Sequence, residues 1–507
     1  MPAIRDKVVN AAINQSFELT NEDIYDDIHK RHAFRMKTIR ENTSLTEHQK
    51  DEAIKELIQI YDSDKILFKE GTKRNCENCN EKCLATSYCE LCICNFLKEN
   101  FSNWTSGKKI IDNLIRKCQL ETLKPDMVIE WIPYENLQNI KYLTKGGCSE
   151  IYTADWIDGK YNEWDSKERI LKRFGKQEVV LKRLENVEHA KRSWFEEANS
   201  HLSISNKWMN IVQCYGLTQD SRDGNYMLVM SRMDTDLREY LQKNHNKITW
   251  KDKLKIIINV STALHKIYDN EKAIHRDLHS GNVLYSEEEH YWYISDLGFC
   301  GPANKPLESI YGNLPYIAPE VIAGNKHTIE SDIYSIGMLM WEIASGQPPF
   351  SNYKHNYYLA MNIIYGLRPK IDPKIPLKYV ELMKKCWNAN PSERPKIDTL
   401  VNEIKEINKL EYNVNESSSN YLKVNENSSL KITSRLFTSK LHNFRKLPNP
   451  RNATEDLRNK LEDGIRIKYS TESYDDDNAN LHPEDQDELE ISDGKIFKII
   501  SIHYCFI

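Results

Sequence analysis

Apolar residues first recur with a helical period near the start of the chain. Ile54, Leu57, Ile58 and Tyr61 are spaced so that a helix would carry them on one face. Just upstream, Ser44 and Glu47 form a Ser-x-x-Glu capping box, which predicts where that helix begins. Ile24 and Ile28 predict a partner helix from about Thr20. Residues 1–70 are therefore expected to be a helical leader, read as a hairpin of two helices packed on each other rather than as a docking device. Residues 98–133 read as a linker with one helix, around Ile110 to Leu120.

From about Tyr134 the pattern changes to short strand-like runs and then to long helical ones that last to Leu410. Residues 134–410 are expected to form one α+β domain of two lobes, the β-rich lobe first. A polar stretch between Ala154 and Glu178 predicts a surface loop. Past Leu410 come an Asn/Ser-rich stretch, a mildly basic one through Arg435, Lys440, Arg445 and Lys446, and an acidic run from Glu472 to Asp493. Residues 411–507 are expected to be a mostly disordered tail.

Composition narrows the class. With 507 residues, 40% hydrophobic and 29% charged, the chain is long enough for more than one folded unit. Its net charge of -5 gives no general attraction to nucleic acid or to anionic membranes. Met1 to Leu19 lacks the apolar core of a secretory signal, and the apolar stretch Ile496 to Ile507 is too short to span a bilayer. A soluble protein of the cytoplasm, or of the nucleus, is expected. Its 12 cysteines would then be reduced, and a clustered set is better read as metal ligands than as disulfides.

Such a cluster lies in residues 71–97. Cys76-x-x-Cys79 and Cys89-x-x-Cys92 supply four thiolates able to close a tetrahedron around Zn²⁺, with Cys83 and Cys94 as spare ligands. The segment is too short to bury a core unaided, so this zinc would be structural. Isolated Cys118, Cys148, Cys214, Cys300, Cys386 and Cys505 read as packing residues, although Cys148 could be redox-accessible.

The chemistry sits in the middle of the chain. Gly146 and Gly147, in Thr144-Lys145-Gly146-Gly147-Cys148-Ser149-Glu150-Ile151, suit a turn whose backbone N–H groups approach phosphates. Lys182 ends the β-branched run Val179-Val180-Leu181, where a strand would hold its ammonium toward an anion. Glu197, in preference to Glu196, can pair with that lysine from the next helix. Asp277 and Asn282, in Ile274-His275-Arg276-Asp277-Leu278-His279-Ser280-Gly281-Asn282, have the spacing of a base at an acceptor hydroxyl and an amide oxygen on Mg²⁺. Ser295-Asp296-Leu297-Gly298 then supplies a second metal contact through Asp296.

In this order the motifs resemble the eukaryotic protein kinase family. Ala318-Pro319-Glu320 is similar to the family's closing motif of the activation segment, and Arg394 stands where the arginine that pairs with Glu320 belongs. Asp332 matches the helix that braces the catalytic loop. Gly366-Leu367-Arg368-Pro369, Cys386-Trp387, Asn390-Pro391 and Arg394-Pro395 resemble the tyrosine-kinase-like and tyrosine kinase branches rather than the other serine/threonine branches. The resemblance implies a bilobal kinase fold, protein substrates, and ATP with Mg²⁺. It also implies Lys182 on the α- and β-phosphates, Glu197 orienting it, Asp277 as base, and Asn282 and Asp296 as metal ligands. Ile151 and Met230 would bound the adenine pocket, and Ser231, Arg232 and Met233 would form its hinge. His275 and Leu297 would belong to a column linking the lobes.

Some positions depart from the family pattern. Thr144 and Ser149 replace glycines, which predicts a weaker grip on phosphate, and Leu297 replaces a phenylalanine. His279 stands where a lysine usually neutralises the transferring group, and is expected to be partly charged near neutrality. Arg276 before the catalytic aspartate predicts control by phosphorylation between Asp296 and Ala318, at Ser309 or Tyr311. The expected activity is transfer of the γ-phosphoryl of ATP to serine or threonine in intracellular signalling. A weak pseudokinase scaffold and a tyrosine kinase are the alternatives. Regulatory partners would meet the leader helices or the tail.

Overall fold

The computed structural model describes residues 7–20, 24–122, 124–145, 149–184, 194–208, 210–299, 301–302, 310–414, 438–442, 444 and 447–454. Its leader contains three helices rather than a hairpin: α1 (Lys7–Leu19), α2 (Ile28–Glu41) and α3 (Glu47–Phe68). Val9, Ala12 and Ile13 of α1 pack with Met36, Ile39, Ala53 and Leu57. That spacing, with Phe17 one turn on, is a helical signal, and Asn10, Asn14 and Ser16 share the buried side. The cap of α3 is Thr46, not Ser44. Thr46 Oγ1 accepts from the Gln49 N–H, and Gln49 Oε1 accepts from the Thr46 N–H at 2.9 Å. The Ser44 N–H is instead held by Asn42 Oδ1.

The leader docks. Asn10 Nδ2 donates to the Glu288 carbonyl at 3.1 Å, and Glu18 pairs with Lys255 at 2.6 Å. Asp62, fully buried on α3, accepts from the backbone and hydroxyls of Thr86 and Ser87 and from Lys65 at 2.8 Å, which ties the leader to the cysteine segment.

In that segment a short hairpin (Arg74–Asn75 with Lys82–Cys83) carries the first cysteine pair, and Cys89 and Cys92 lie at the start of α4 (Glu90–Glu99). The stretch expected as a surface loop is a second hairpin, Tyr161–Asp165 with Ile170–Arg173. Its Tyr161 and Leu171 pack on Ile93, Leu97 and Trp104, and Trp164 meets Phe96 edge-on at 5.7 Å. Its polar residues face solvent while alternate ones serve the neighbouring module, which a polarity average conceals.

The expected linker is likewise built into the lobe. α5 (Lys109–Leu120) packs Ile111, Leu114, Ile115 and Cys118 against Ala198 and Leu202 of α6 (Trp194–Ile204). Strand Glu130–Trp131 runs parallel to Cys214–Gln219 and extends the small-lobe sheet. From that edge the sheet continues through Tyr226–Ser231, Gln177–Arg183, Glu150–Trp156 and Leu137–Lys145. Arg173 clamps the buried Glu130 with two hydrogen bonds, of 2.7 and 3.1 Å.

The large lobe is helical: α7 (Leu237–Asn244), α8 (Trp250–Glu271), α9 (Pro319–Ile322), α10 (Ile329–Ser345), α11 (Tyr357–Ile364), α12 (Leu377–Cys386) and α13 (Ile397–Val414). The buried α10 sits at its centre, and α13 lies along α8. Most of the expected disordered tail falls outside the described residues. Its described part is ordered on the large lobe: strand Lys440–His442 pairs antiparallel with Ile310–Gly312. Among the described residues no helix is long and apolar enough to cross a membrane.

Candidate active site

Three elements bring the central charges together. The register of Gln177–Arg183 between its two neighbours buries Lys182, its Nζ lying 2.8 Å from Glu197 Oε1 of α6 and 2.6 Å from Asp296 Oδ1. Glu196, one position earlier, is exposed, because adjacent helical residues point about 100° apart. Asp296 holds a positive φ of 54°, a left-handed conformation uncommon for a residue with a Cβ, and its Oδ1 also accepts from the Gly298 N–H at 3.2 Å.

The catalytic-loop candidates are held from below. Asp332, fully buried on α10, accepts the N–H of His275 at 2.7 Å and of Arg276 at 2.9 Å. Burial pushes its carboxyl up to about 7, against the pull of those donors. His275 is buried, its Nε2 on the Ser295 carbonyl at 3.1 Å, and burial lowers its pKa. Leu297 is completely buried with Ile204, Trp208 and Ile267. Asn282 Nδ2 donates to the Asp277 carbonyl at 2.9 Å, which leaves its amide oxygen for a cation. Ile151 pairs with Lys182 across the sheet; buried Met230 and then Ser231 end the next strand. The Ser231 N–H bonds the Gln213 carbonyl, and exposed Arg232 pairs with Glu178, beside half-buried Met233.

Further along, Arg394 meets Glu320 through two hydrogen bonds of 2.7 Å, both groups buried. Arg368 Nε donates to the Trp387 carbonyl at 2.9 Å, which joins the two motifs expected near the end of the domain.

Some expected sites sit differently. Gly146, Gly147, Cys148, Cys300, Ser309 and Cys505 lie outside the described residues. Tyr311 is buried, its ring stacked on Phe299 at 4.0 Å, so its hydroxyl is not presented for modification in this conformation. Arg276 is turned inward, Nη1 donating to the Phe299 carbonyl at 3.2 Å. His279 is not partly charged: burial, then the Arg238 cation, hold its pKa well below the ordinary histidine range, so it is neutral near pH 7. Its Nδ1 accepts the Gly281 N–H at 3.0 Å, which leaves the proton on Nε2.

Two further residues reach the site unforeseen. His201, one helical turn beyond Glu197, is buried with a ring nitrogen within 4.8 Å of carboxylate oxygens of Glu197 and Asp296. The i, i+4 spacing from Glu197 carries that signal in the sequence. Ser439 of the tail lies with Oγ 2.8 Å from Asp277 Oδ1 and 3.0 Å from His279 Nε2. No local pattern marks it, because the contact spans some 160 positions.

The sulfurs of Cys76, Cys79, Cys89 and Cys92 converge within 4.8 Å of one another. Cys83 is buried against Cys76 and Cys89, its Sγ donating to the Ala85 carbonyl, and Cys94 is half-buried on α4.

Comparison with known proteins agrees with this geometry. Residues 137–404 match the family described as protein tyrosine and serine/threonine kinase. A protein of Acanthamoeba polyphaga mimivirus, named for a serine/threonine-protein kinase/receptor, is 27% identical over 52% of this chain and 16% of its own length. Two Dictyostelium discoideum proteins also match. The dual specificity protein kinase zakA is 31% identical over 43% of this chain and 30% of its own, and the probable serine/threonine-protein kinase roco8 is 30% identical over 36% and 10%. The chain thus spans less than a third of the length of each of these relatives. The matched span holds the Lys182–Glu197 pair, the braced catalytic loop and the Glu320–Arg394 clamp, and by it this chain belongs to the protein tyrosine and serine/threonine kinase family.

Proposed function

We propose that this chain is an active protein kinase that transfers the γ-phosphoryl of ATP to serine or threonine hydroxyls of proteins. The observation that carries the reading is the convergence of buried Lys182 and Glu197 with half-buried Asp296 in one ion cluster beside Asn282 and Asp277. Lys182 binds the α- and β-phosphates and Glu197 fixes its direction. Asp296 and the Asn282 amide oxygen hold Mg²⁺, whose chemistry is to neutralise charge on the phosphates. Asp277 receives the acceptor's proton, and neutral His279 offers its Nε2–H to the same oxygen, orienting it rather than neutralising the phosphoryl group. Ile151, Met230 and the stretch Ser231 to Met233 accept the adenine.

Serine and threonine are favoured as acceptors by the relatives' names. The tyrosine-kinase-like branch is favoured over the tyrosine kinases, which share the Gly366–Pro369 and Cys386–Trp387 motifs, only together with this acceptor class. The sulfur quartet supports a structural Zn²⁺ with no open coordination position. Cysteines gathered as metal ligands rather than as disulfides suit a reducing cytoplasm. Regulation falls to the leader and tail, both of which meet the catalytic domain.

Incubation with labelled ATP and Mg²⁺ tests the reading. Wild-type protein should phosphorylate added casein on serine or threonine, and Asp277→Asn should not. Equal labelling by both would refute it, and labelling of tyrosine alone would refute the acceptor class.

A further inference from the structure

The hydroxyl nearest the catalytic base belongs to the chain itself. Ser439 is buried, with Oγ 2.8 Å from Asp277 Oδ1 and 3.0 Å from His279 Nε2. Because His279 Nδ1 accepts from Gly281, Nε2 is the donor; Ser439 Oγ therefore accepts from His279 and gives its own proton to Asp277. One lone pair of Oγ remains for attack on phosphorus. Thr438, one residue earlier, is exposed.

Backbone pairing fixes this position. His442, Leu441 and Lys440 stand opposite Ile310, Tyr311 and Gly312 in an antiparallel ladder, so the next residue of the tail is delivered to the base. His442 Nε2 bonds the Gly312 carbonyl at 3.0 Å, and the His442 ring stacks on Phe444 at 5.3 Å. Strand addition along an exposed edge is a general mode of peptide recognition, with main-chain bonds setting the register. A second anchor lies downstream. The Arg451 N–H bonds the Ile364 carbonyl at 3.0 Å, and Asn452 Oδ1 accepts the Ala389 N–H at 3.0 Å. The tail crosses Gly366 so closely that a Cβ there would meet Ala453 N at 2.2 Å.

We propose that Ser439 is a phosphoacceptor of the chain's own active site, and that residues 438–442 occupy the substrate groove in cis and close it until the phosphate is in place. The inference rests on the kinase reading above. In the step, Ser439 Oγ forms a bond to the γ-phosphorus of ATP as the bond to the β,γ-bridging oxygen breaks. Asp277 takes the hydroxyl proton, ADP leaves, and the proton passes to solvent. The product sets a phosphate of roughly two negative charges against the Asp277 carboxylate. Like charges at that separation repel. Phosphorylation therefore expels the segment and opens the groove.

The test uses the full chain, phosphatase-treated, with ATP and Mg²⁺, read by mass spectrometry of the Ser439 peptide, by casein phosphorylation and by amide hydrogen exchange. Phosphate should appear on Ser439 at a rate per molecule independent of enzyme concentration. Ser439→Ala should stay slow on casein, whereas Ser439→Glu should be several-fold faster. Without nucleotide, amides of 440–442 and 310–312 should be protected in wild type and should lose protection in Ser439→Glu. Casein phosphorylation with Ser439 unmodified would overturn the inference and leave the kinase reading intact. So would a rate per molecule that rises with concentration, equal casein rates for the two variants, or unprotected amides in wild type. If nothing at all were phosphorylated, the kinase reading would fail and the inference with it.

Discussion

Replacing Lys182 with methionine keeps the side chain's length and removes its charge. Two carboxylates then face each other, and Glu197, with only 2% of its side chain exposed, has lost the ammonium 2.8 Å away. Breaking a buried pair from one side costs about 3–5 kcal/mol. The penalty has a ceiling, because Glu197 can escape it by taking up a proton. From an ordinary glutamate value of about 4.3, that uptake costs about 4 kcal/mol at pH 7 and about 2 kcal/mol at pH 5.5, at 1.36 kcal/mol per pH unit. Urea denaturation of Lys182→Met and wild type at both pH values should therefore show a gap that roughly halves on acidification. Adding Glu197→Gln should restore most of the lost stability and none of the phosphotransfer, which separates the electrostatic cost from the phosphate-binding role. A gap below about 1 kcal/mol at pH 7, or one of equal size at both pH values, would refute the ion cluster as the resting arrangement.

Ile115→Ala, at the buried face of α5 against α6, should destabilise the protein by about 2–5 kcal/mol and, by loosening the helix that carries Glu197, lower phosphotransfer more than casein affinity; thermal denaturation with separate kcat and KM measurements checks both. At Asp62 burial works to raise the carboxyl's pKa, but the Lys65 and Ser87 hydrogen bonds outweigh it and hold it below the ordinary value of 3.8. Its stabilisation is thus complete above that value and is lost as pH falls through the lowered folded one. Asp62→Asn should destabilise at pH 7 by about 1–3 kcal/mol, a difference that shrinks in urea titrations toward pH 3. Chelation of metal, or Cys79→Ser, should release one equivalent of zinc by atomic absorption and lower the melting temperature, with no direct effect on Asp277 chemistry.

Much of the candidate site could be read from the chain, because the phosphoryl transfer proposed for it demands particular groups at short fixed spacings. Asp277 and Asn282 share one loop, Asp296 is followed by a flexible glycine, and the order of Lys182, Glu197, Glu320 and Arg394 belongs to a known fold. The four-cysteine cluster was legible for the same reason, since its sulfurs come in two local pairs. Helical period revealed α3 but not α1, whose buried side mixes Val9, Ala12 and Ile13 with Asn10, Asn14 and Ser16.

What only tertiary structure decided are the contacts between distant segments. The polar stretch after Ala154 became a hairpin because the cysteine segment gave Tyr161 and Leu171 a surface to bury against. The linker became part of the lobe because α6 offered an apolar face to α5. His279 lost its charge through burial, which no sequence position records. Ser439 met Asp277 because an edge strand was open for pairing, and a backbone edge accepts a partner by hydrogen bonds that leave little trace in residue types. Local spacing specifies chemistry made by neighbours in the chain, whereas pairing and burial depend on surfaces that exist only once the rest has folded.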